Sequence, residues 1–314
     1  MVGFKLTRDV SPADDEGHAP DTKDGNWQES WCVQWYDPIR RAGGMSHVGL
    51  QRNRELADYW TALVLDGKVA DEEESSRARL PAGKMSDLVV GPLHFQTLEP
   101  LRKYHIVTTY RDVKADLIYK AYAPVVRYDI DQMGAAIGAG HFESLGRVSG
   151  TFAFKDRTIQ VDGFGFHDHS WGVRDHSTFI AQRNYTVGFG PDLNLNYAEM
   201  WTSTGGRFVG GYVQDGDQLH AINAATPLLT LANDGCSPVS TDTELWTETG
   251  RGYRLKGVVD GGVQMNTHHD DYFVTNGFAK FEMCGRLGAG IICVRQTGTA
   301  AQWEKMRKWK STRI

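Results

Sequence analysis

The chain reads as an all-β protein of many short antiparallel strands, and three observations carry that reading. Glycine, 35 of 314 residues, breaks up almost every segment. The runs between the breaks are rich in β-branched and aromatic side chains. Sustained apolar spacing at the helical period is scarce. Many short strands in one chain predict sandwiches or barrels, because closure protects the edges that an open sheet would expose.

In order along the chain, Glu29 to Asp37 supplies aromatic and titratable groups whose expected place is packing or a cavity rim, and Trp35 and Tyr36 lie within it. The acidic run Asp71 to Arg79 reads as a solvated loop. Tyr104 to Tyr110, Asp116 to Tyr122 and Thr151 to Phe154 read as strands, and His141-Phe-Glu143 before the last of these is a further packing or rim segment. Arg157 to Asp162 reads as a strand leading into the central motif, with Phe208 to Val213, Gly277 to Met283 and Gly290 to Arg295 as later strands. Gly134 to Gly140 and Gly285 to Gly290 read as turns, because neither joins a strand to a helix as a dinucleotide loop must. His268 to Asp271 reads as a hairpin cap. Trp303, Met306, Trp309 and Lys310 fall at helical spacing in the tail 299–310, which predicts a short C-terminal helix packed on a barrel.

A formal net charge of -5 with 23% charged residues offers no basic surface for a phosphate backbone, so nucleic acid is not an expected partner. The first residues are followed by a polar run from Ser11 to Asn26, and no long apolar span occurs, which disfavours secretion and membrane spanning. Cys32, Cys236, Cys284 and Cys293 are scattered without a C-x-x-C pair and read as reduced thiols of a cytoplasmic protein. No nucleophile elbow is present, and no cofactor is expected.

The densest chemistry is Gly163 to His176, where three histidines, two aspartates and an arginine fall within ten residues. In extended backbone, residues two apart share a face. Gly163, Gly165, His167, His169 and Trp171 then lie on one side, and Phe164, Phe166, Asp168 and Ser170 on the other. Two successive glycines on one face leave room for a ligand or another backbone, so the histidine face is expected to floor a pocket. Three readings stay open: acid–base catalysis, a structural polar network around Asp168, Arg174 and Asp175, and a metal site on His167 and His169 with Asp175 or His176 as third ligand.

Leu193 to Trp201 is the second informative segment. Strict alternation puts Glu199 on a face with Leu193, Leu195, Tyr197 and Trp201, where desolvation would favour the neutral acid that a proton donor needs. The alternative is an ion pair with Arg174 or Arg183 that pins two strands.

The run Gly165 to Asp175, Gly-Phe-His-Asp-His-Ser-Trp-Gly-Val-Arg-Asp, followed by Tyr197-Ala-Glu199, resembles the carotenoid 1,2-hydratase (hydroxyneurosporene synthase) and AttH-like group, which has lipocalin-like Diels-Alderases among its relatives. Glu29-Ser-Trp, Gly43-Gly44 and His141-Phe-Glu143 are similar to it more loosely. The resemblance implies two lipocalin-like antiparallel β domains, residues 1–175 and 176–314, with a hydrophobic cavity near their junction and cofactor-free chemistry on isoprenoid or polyketide substrates. Its pattern of a His and a Trp, then a Tyr and a carboxylate, falls on His169, Trp171, Tyr197 and Glu199, with Glu in place of Asp at the last position.

The expected function is therefore non-redox acid–base chemistry, of lyase, hydratase or isomerase type, on a hydrophobic aromatic or isoprenoid small molecule. Glu199 would donate a proton, His169 would shuttle it, Tyr197 would stabilise developing charge, and Asp168 completes the catalytic set. Trp171, Trp201, His167, Arg174, Trp35, Tyr36 and His141 are the expected substrate-binding residues. Alternatives are a lipocalin-like carrier without catalysis, and a metal-dependent enzyme using His167 and His169. Self-association as a homodimer is a further expectation.

Overall fold

The structure is a computed structural model, described over residues 5–84, 86–129, 138–175, 178–266 and 272–297. Its strands are β1 (Lys5–Thr7), β2 (Trp27–Asp37), β3 (Ala42–Gln51), β4 (Leu56–Leu65), β5 (Lys68–Arg79), β6 (Asp87–Val90), β7 (Leu93–Glu99), β8 (Lys103–Tyr110), β9 (Val113–Ala121), β10 (Val126–Asp129), β11 (Gly140–Phe154) and β12 (Arg157–Val173) in a first sheet. A second sheet holds β13 (Phe179–Gly188), β14 (Leu193–Thr202), β15 (Arg207–Asp215), β16 (Gln218–Leu231), β17 (Pro238–Thr247), β18 (Gly252–Asn266), β19 (Tyr272–Met283) and β20 (Arg286–Thr297). Among the described residues the only helical pieces are the short 3₁₀ turns Pro12–Asp15 and Arg52–Arg54.

The first sheet runs β5-β4-β3-β2-β12-β11-β9-β8-β7-β6, with β10 also on β11 and β1 on β10. The second closes as an eight-stranded barrel from β13 round to β20. All pairings are antiparallel, so the chain is two barrel-like β sheets, as its composition predicts. One apolar core fills the first sheet, with Trp31, Trp35, Tyr119 and Phe152 in it. Another fills the barrel, with Tyr185, Tyr197, Leu245 and Phe281. A third lies between them, where Tyr36, Phe164, Phe166 and Tyr128 of the sheet meet Met200, Tyr212, Phe278 and Ile291 of the barrel.

β12 sits mid-sheet between β11 and β2, with its last residues covered on both faces. Its odd-numbered residues point into the sheet's own core and its even-numbered residues toward the barrel. The histidine face is not a pocket floor. A Cβ on Gly165 would lie 2.8 Å from Val148 Cγ2 and 2.9 Å from Tyr119 Cδ2, and one on Gly163 would lie 2.3 Å from the Tyr36 carbonyl oxygen. The glycines admit protein, and the space is used by neighbouring strands.

Two other expectations change. Asp71 to Arg79 is not a loop but most of β5, an edge strand paired to β4 through two bulges. An edge strand needs no alternating apolar face when its charges keep it from pairing with another chain, and Arg111 bridges Asp71 and Glu73 there at 3.2 and 2.6 Å. The stretch from Gly285 to Gly290 is turn only at its start, where Cys284 and Gly285 take φ of 53° and 71°; from Arg286 it is strand. The tail helix, the cap at 268–271 and residues 134–137 of the first glycine run lie outside the described residues.

Gly163→Ala forces apart β12 and β2. It is expected to destabilise the fold by about 1–3 kcal/mol, read as a lower urea midpoint with an unchanged m-value; an unchanged midpoint would refute the close approach.

Candidate functional site

Between the even-numbered face of β12 and the outside of the barrel lies a cavity of about 280 Å³. The first sheet contributes Ser30, Cys32 and Gln34 from β2, His141 and Glu143 from β11, and Phe166, Asp168 and Ser170 from β12, with Arg174 just beyond the strand. The barrel contributes Gln182, Asn184 and Thr186 from β13, Asn196, Ala198 and Met200 from β14, and Val274, Asn276, Ile291, Cys293 and Arg295 from β19 and β20. His47, Trp60 and Tyr128 close the rim. Strand parity explains the membership, since each strand offers residues two apart.

Asp168 and Glu143 are register partners on β12 and β11 and share the cavity face. Two carboxyls directly opposite repel unless one is protonated or compensated. Burial, with Glu143 adding to it, pushes the Asp168 carboxyl up to about 6, against the pull of His141, Arg174 and Arg295. No described residue hydrogen-bonds to Asp168, and its side chain lines the cavity. Glu143 is instead well supplied: the Tyr128 hydroxyl donates to its Oε1 at 3.0 Å and His141 Nε2 lies 3.6 Å from its Oε2. The same Tyr128 hydroxyl is 2.9 Å from Asn196 Oδ1, and Asn196 Nδ2 is 3.2 Å from Thr186 Oγ1. One hydroxyl has one proton, and every group is satisfied when Tyr128 donates to Glu143 and Asn196 is turned to donate to Tyr128. Arg174 Nη2 holds the opposite rim, donating to Ser170 Oγ at 2.8 Å and Ser30 Oγ at 3.0 Å.

The predicted site residues divide among three places. Asp168, Arg174 and His141 line the cavity. His167, His169, Trp171 and Trp35 face the other way. His167 stacks on Tyr104 at 4.1 Å, and burial drives its pKa well below the usual value. His169 Nε2 lies 3.1 Å from Glu29 Oε1, its ring stacks on Trp31, and burial lowers its pKa to about 4. Trp171 stacks on His18 at 3.8 Å, and Trp35 meets Phe152 edge-on. Tyr36 points toward the barrel but donates to Asp260 in the interface core. Glu199 and Tyr197 lie on the barrel's inner face, where Tyr197 donates to Glu199 Oε2 at 3.1 Å and Arg207 Nε donates to Oε1 at 2.7 Å. The partner of Glu199 is thus Arg207, not Arg174 or Arg183, and Arg183 lies over the Trp201 ring at 5.0 Å. No common site joins His169 to Glu199, because one points into the sheet and the other into the barrel.

Among the described residues His167 and His169 do not converge on a third ligand, and His176 lies outside those residues. Among the described residues the donor atoms that do converge belong to His18, Glu29 and His169, all within 4.8 Å of one another. Hydrogen bonds account for these contacts: His18 Nδ1 lies 2.7 Å and its backbone N–H 2.9 Å from Glu29 Oε1. Together with Asp15, which accepts from Leu101 N at 2.8 Å and Tyr104 Oη at 2.7 Å, they tie the irregular N-terminal segment to β12.

Tyr128, Asn196, Gln182, Asn184 and Arg295 were not foreseen. The signal for Asn196 was present: in Leu-Asn-Leu-Asn-Tyr-Ala-Glu-Met (193 to 200) the alternation has two faces, and the one with Asn194, Asn196, Ala198 and Met200 is the face turned outward.

A raised Asp168 pKa is stabilising below the unfolded value of 3.8 and loses that contribution as pH rises through about 6. At pH 7.5 the ionised group costs at most about 3 kcal/mol, less with cavity water around it. Asp168→Asn is therefore expected to raise the urea midpoint at pH 7.5 and to lose that advantage near pH 5; equal effects at both pH values would contradict the desolvated carboxyl.

No curated protein matches the sequence. Solved structures do match in fold. An AttH-like protein (NE1406) of Nitrosomonas europaea aligns at a TM-score of 0.66 and 13% identity over 88% of this chain and 94% of its own. Kievitone hydratase of Nectria haematococca aligns at 0.61 and 11% over 92% and 93%. CghA, in its complex with Sch210972, aligns at 0.59 and 8% over 87% and 89%. At these identities the likeness is one of fold, in both halves of the chain. Among the described residues no helix is long and apolar enough to cross a membrane. Residues 11–298 match the model of the domain of unknown function DUF7064, and the chain belongs to that family.

Proposed function

We propose that the chain is a cofactor-independent acid–base enzyme of lyase, hydratase or isomerase type, acting on a small hydrophobic molecule held in the cavity between sheet and barrel. The observation that carries this is the Asp168–Glu143 pair: cross-strand neighbours on one cavity wall, one carboxyl desolvated and the other furnished with donors. Environments that separate two adjacent carboxyls in this way create an acid and a base from the same chemistry. The roles expected of Glu199 and His169 pass to Asp168 and Glu143.

In the hydration direction, the Asp168 O–H bond breaks and its proton goes to one carbon of a polarised double bond. The electron pair of that bond forms the new C–H bond. A water attacks the electron-deficient neighbour, and its proton passes to Glu143, with His141 alongside to relay it back to Asp168. Elimination is the reverse, and proton removal from a neighbouring carbon gives isomerisation. Phe166 and Trp60 offer ring faces at the cavity wall, where a developing cation is favoured. The shared fold with a protein named kievitone hydratase supports the reading.

Turnover is to be sought by mass spectrometry after incubation of purified protein with compact aromatic and isoprenoid compounds in heavy-oxygen water. Asp168→Asn and Glu143→Gln are each expected to lower turnover by about 10²–10⁴-fold, while Glu199→Gln lowers it through folding alone, recovering at lower temperature. Unchanged turnover in the first two variants would leave the cavity as a carrier site and defeat the assignment.

A further inference from the structure

The cavity's barrel wall is polar where a hydrocarbon would have to lie. Gln182 and Asn184 stand two apart on the outer face of β13, and Gln182 Nε2 donates to Asn184 Oδ1 at 3.1 Å. That bond orients the pair and leaves Gln182 Oε1 as an acceptor and Asn184 Nδ2 as a donor with no hydrogen-bond partner among the described residues. In register, Asn184 is opposite Cys293 and Gln182 opposite Arg295 on β20. Cys293 and Arg295 are in turn within electrostatic reach of Asp168. The amide pair therefore faces the Asp168 carboxyl across the cavity.

A ligand that excludes water without replacing its hydrogen bonds leaves each of these groups unpaired, at about 1–3 kcal/mol apiece. The cavity, about 280 Å³, has room for a compact molecule, and a hydrocarbon lying against these amides binds only at the cost of leaving them unpaired.

Resting on the acid–base reading above, we infer that Gln182 and Asn184 form a specificity subsite for an oxygenated substrate: a compact molecule with at least one hydroxyl, donating to Gln182 Oε1, and one hydroxyl or carbonyl oxygen accepting from Asn184 Nδ2. The apolar neighbours Met200, Ala198 and Ile291 take the carbon skeleton, so the subsite favours an oxygenated molecule over a plain hydrocarbon.

Three probes test this by calorimetric titration at pH 7.5: bibenzyl, its trihydroxylated derivative dihydroresveratrol, and the terpene hydrocarbon myrcene. The wild-type protein is expected to bind dihydroresveratrol at least tenfold more tightly than either hydrocarbon. In Gln182→Leu/Asn184→Leu the preference falls below about threefold and the hydrocarbons gain affinity, while the thermal midpoint stays near wild type because both side chains lie on the barrel's outer face. Equal binding of bibenzyl or myrcene by wild type, an unchanged preference in the double variant, or no binding by any probe would each overturn the subsite. Binding needs no turnover, so the subsite can fail while Asp168→Asn still abolishes catalysis, and the acid–base reading can fail while the preference holds.

Discussion

Most of the molecule depends on one constraint: β12 is covered on both faces. One face closes the core of the first sheet and the other meets the barrel, so His167 and His169 are shut off from bulk water and Asp168 and Ser170 are half-buried. A strand in this position usually reads as a continuous apolar run. Here it carries His167, Asp168 and His169 in succession, and each must be satisfied by protein, kept neutral or given a cavity.

The two faces meet that demand differently. On the sheet side His169 is matched to Glu29, which is also bonded by His18, and the rings of Trp31, Phe142 and Trp171 enclose the group. His167 is kept neutral by burial and stacking. Such a network fixes register and holds the N-terminal segment, and nothing in it is available to a substrate. On the barrel side Asp168 has no hydrogen-bond donor among the described residues and lines the cavity. A desolvated carboxyl works against stability at neutral pH, and the proposed acid role of Asp168 accounts for its presence here.

The strands and the division of the motif into two faces were legible in the sequence, because period-2 alternation and glycine breaks are local properties. Which face would be functional was not. Gly163 and Gly165 look the same in sequence whether a ligand or a neighbouring strand fills the space, and only the positions of Tyr36, Tyr119 and Val148 decide it. An ion pair for Glu199 is one of the two readings its sequence allows, but its partner Arg207 is not legible there because it lies across a hairpin on β15. The acidic stretch of β5 was misread because an edge strand need not alternate. The asparagines of β14 are legible as the polar side of its alternation, and Asn196 on that side lines the cavity.

The barrel's interior explains why the cavity lies outside it. An eight-stranded barrel has room for its own side chains or for one small ligand, but not for both. In this chain Tyr185, Tyr197, Leu195, Leu245, Tyr253 and Phe281 already occupy that interior, and Tyr185 and Tyr197 pack at 5.2 Å. Thr241 and Thr243 then serve the buried hydroxyls, with Thr241 Oγ1 3.2 Å from Tyr185 Oη. With these side chains in the lumen, a concave space is left where the sheet's twisted face meets a convex barrel, since two such surfaces cannot touch everywhere. The apolar contact of Tyr36, Phe278 and Met45 seals one part of that seam. The polar ends of β11, β12, β13 and β14 leave the other part open, and that is where the carboxyl pair stands. A filled barrel thus forms one wall of the cavity, and the outer residues of β13 and β14 that line it have no packing duties inside.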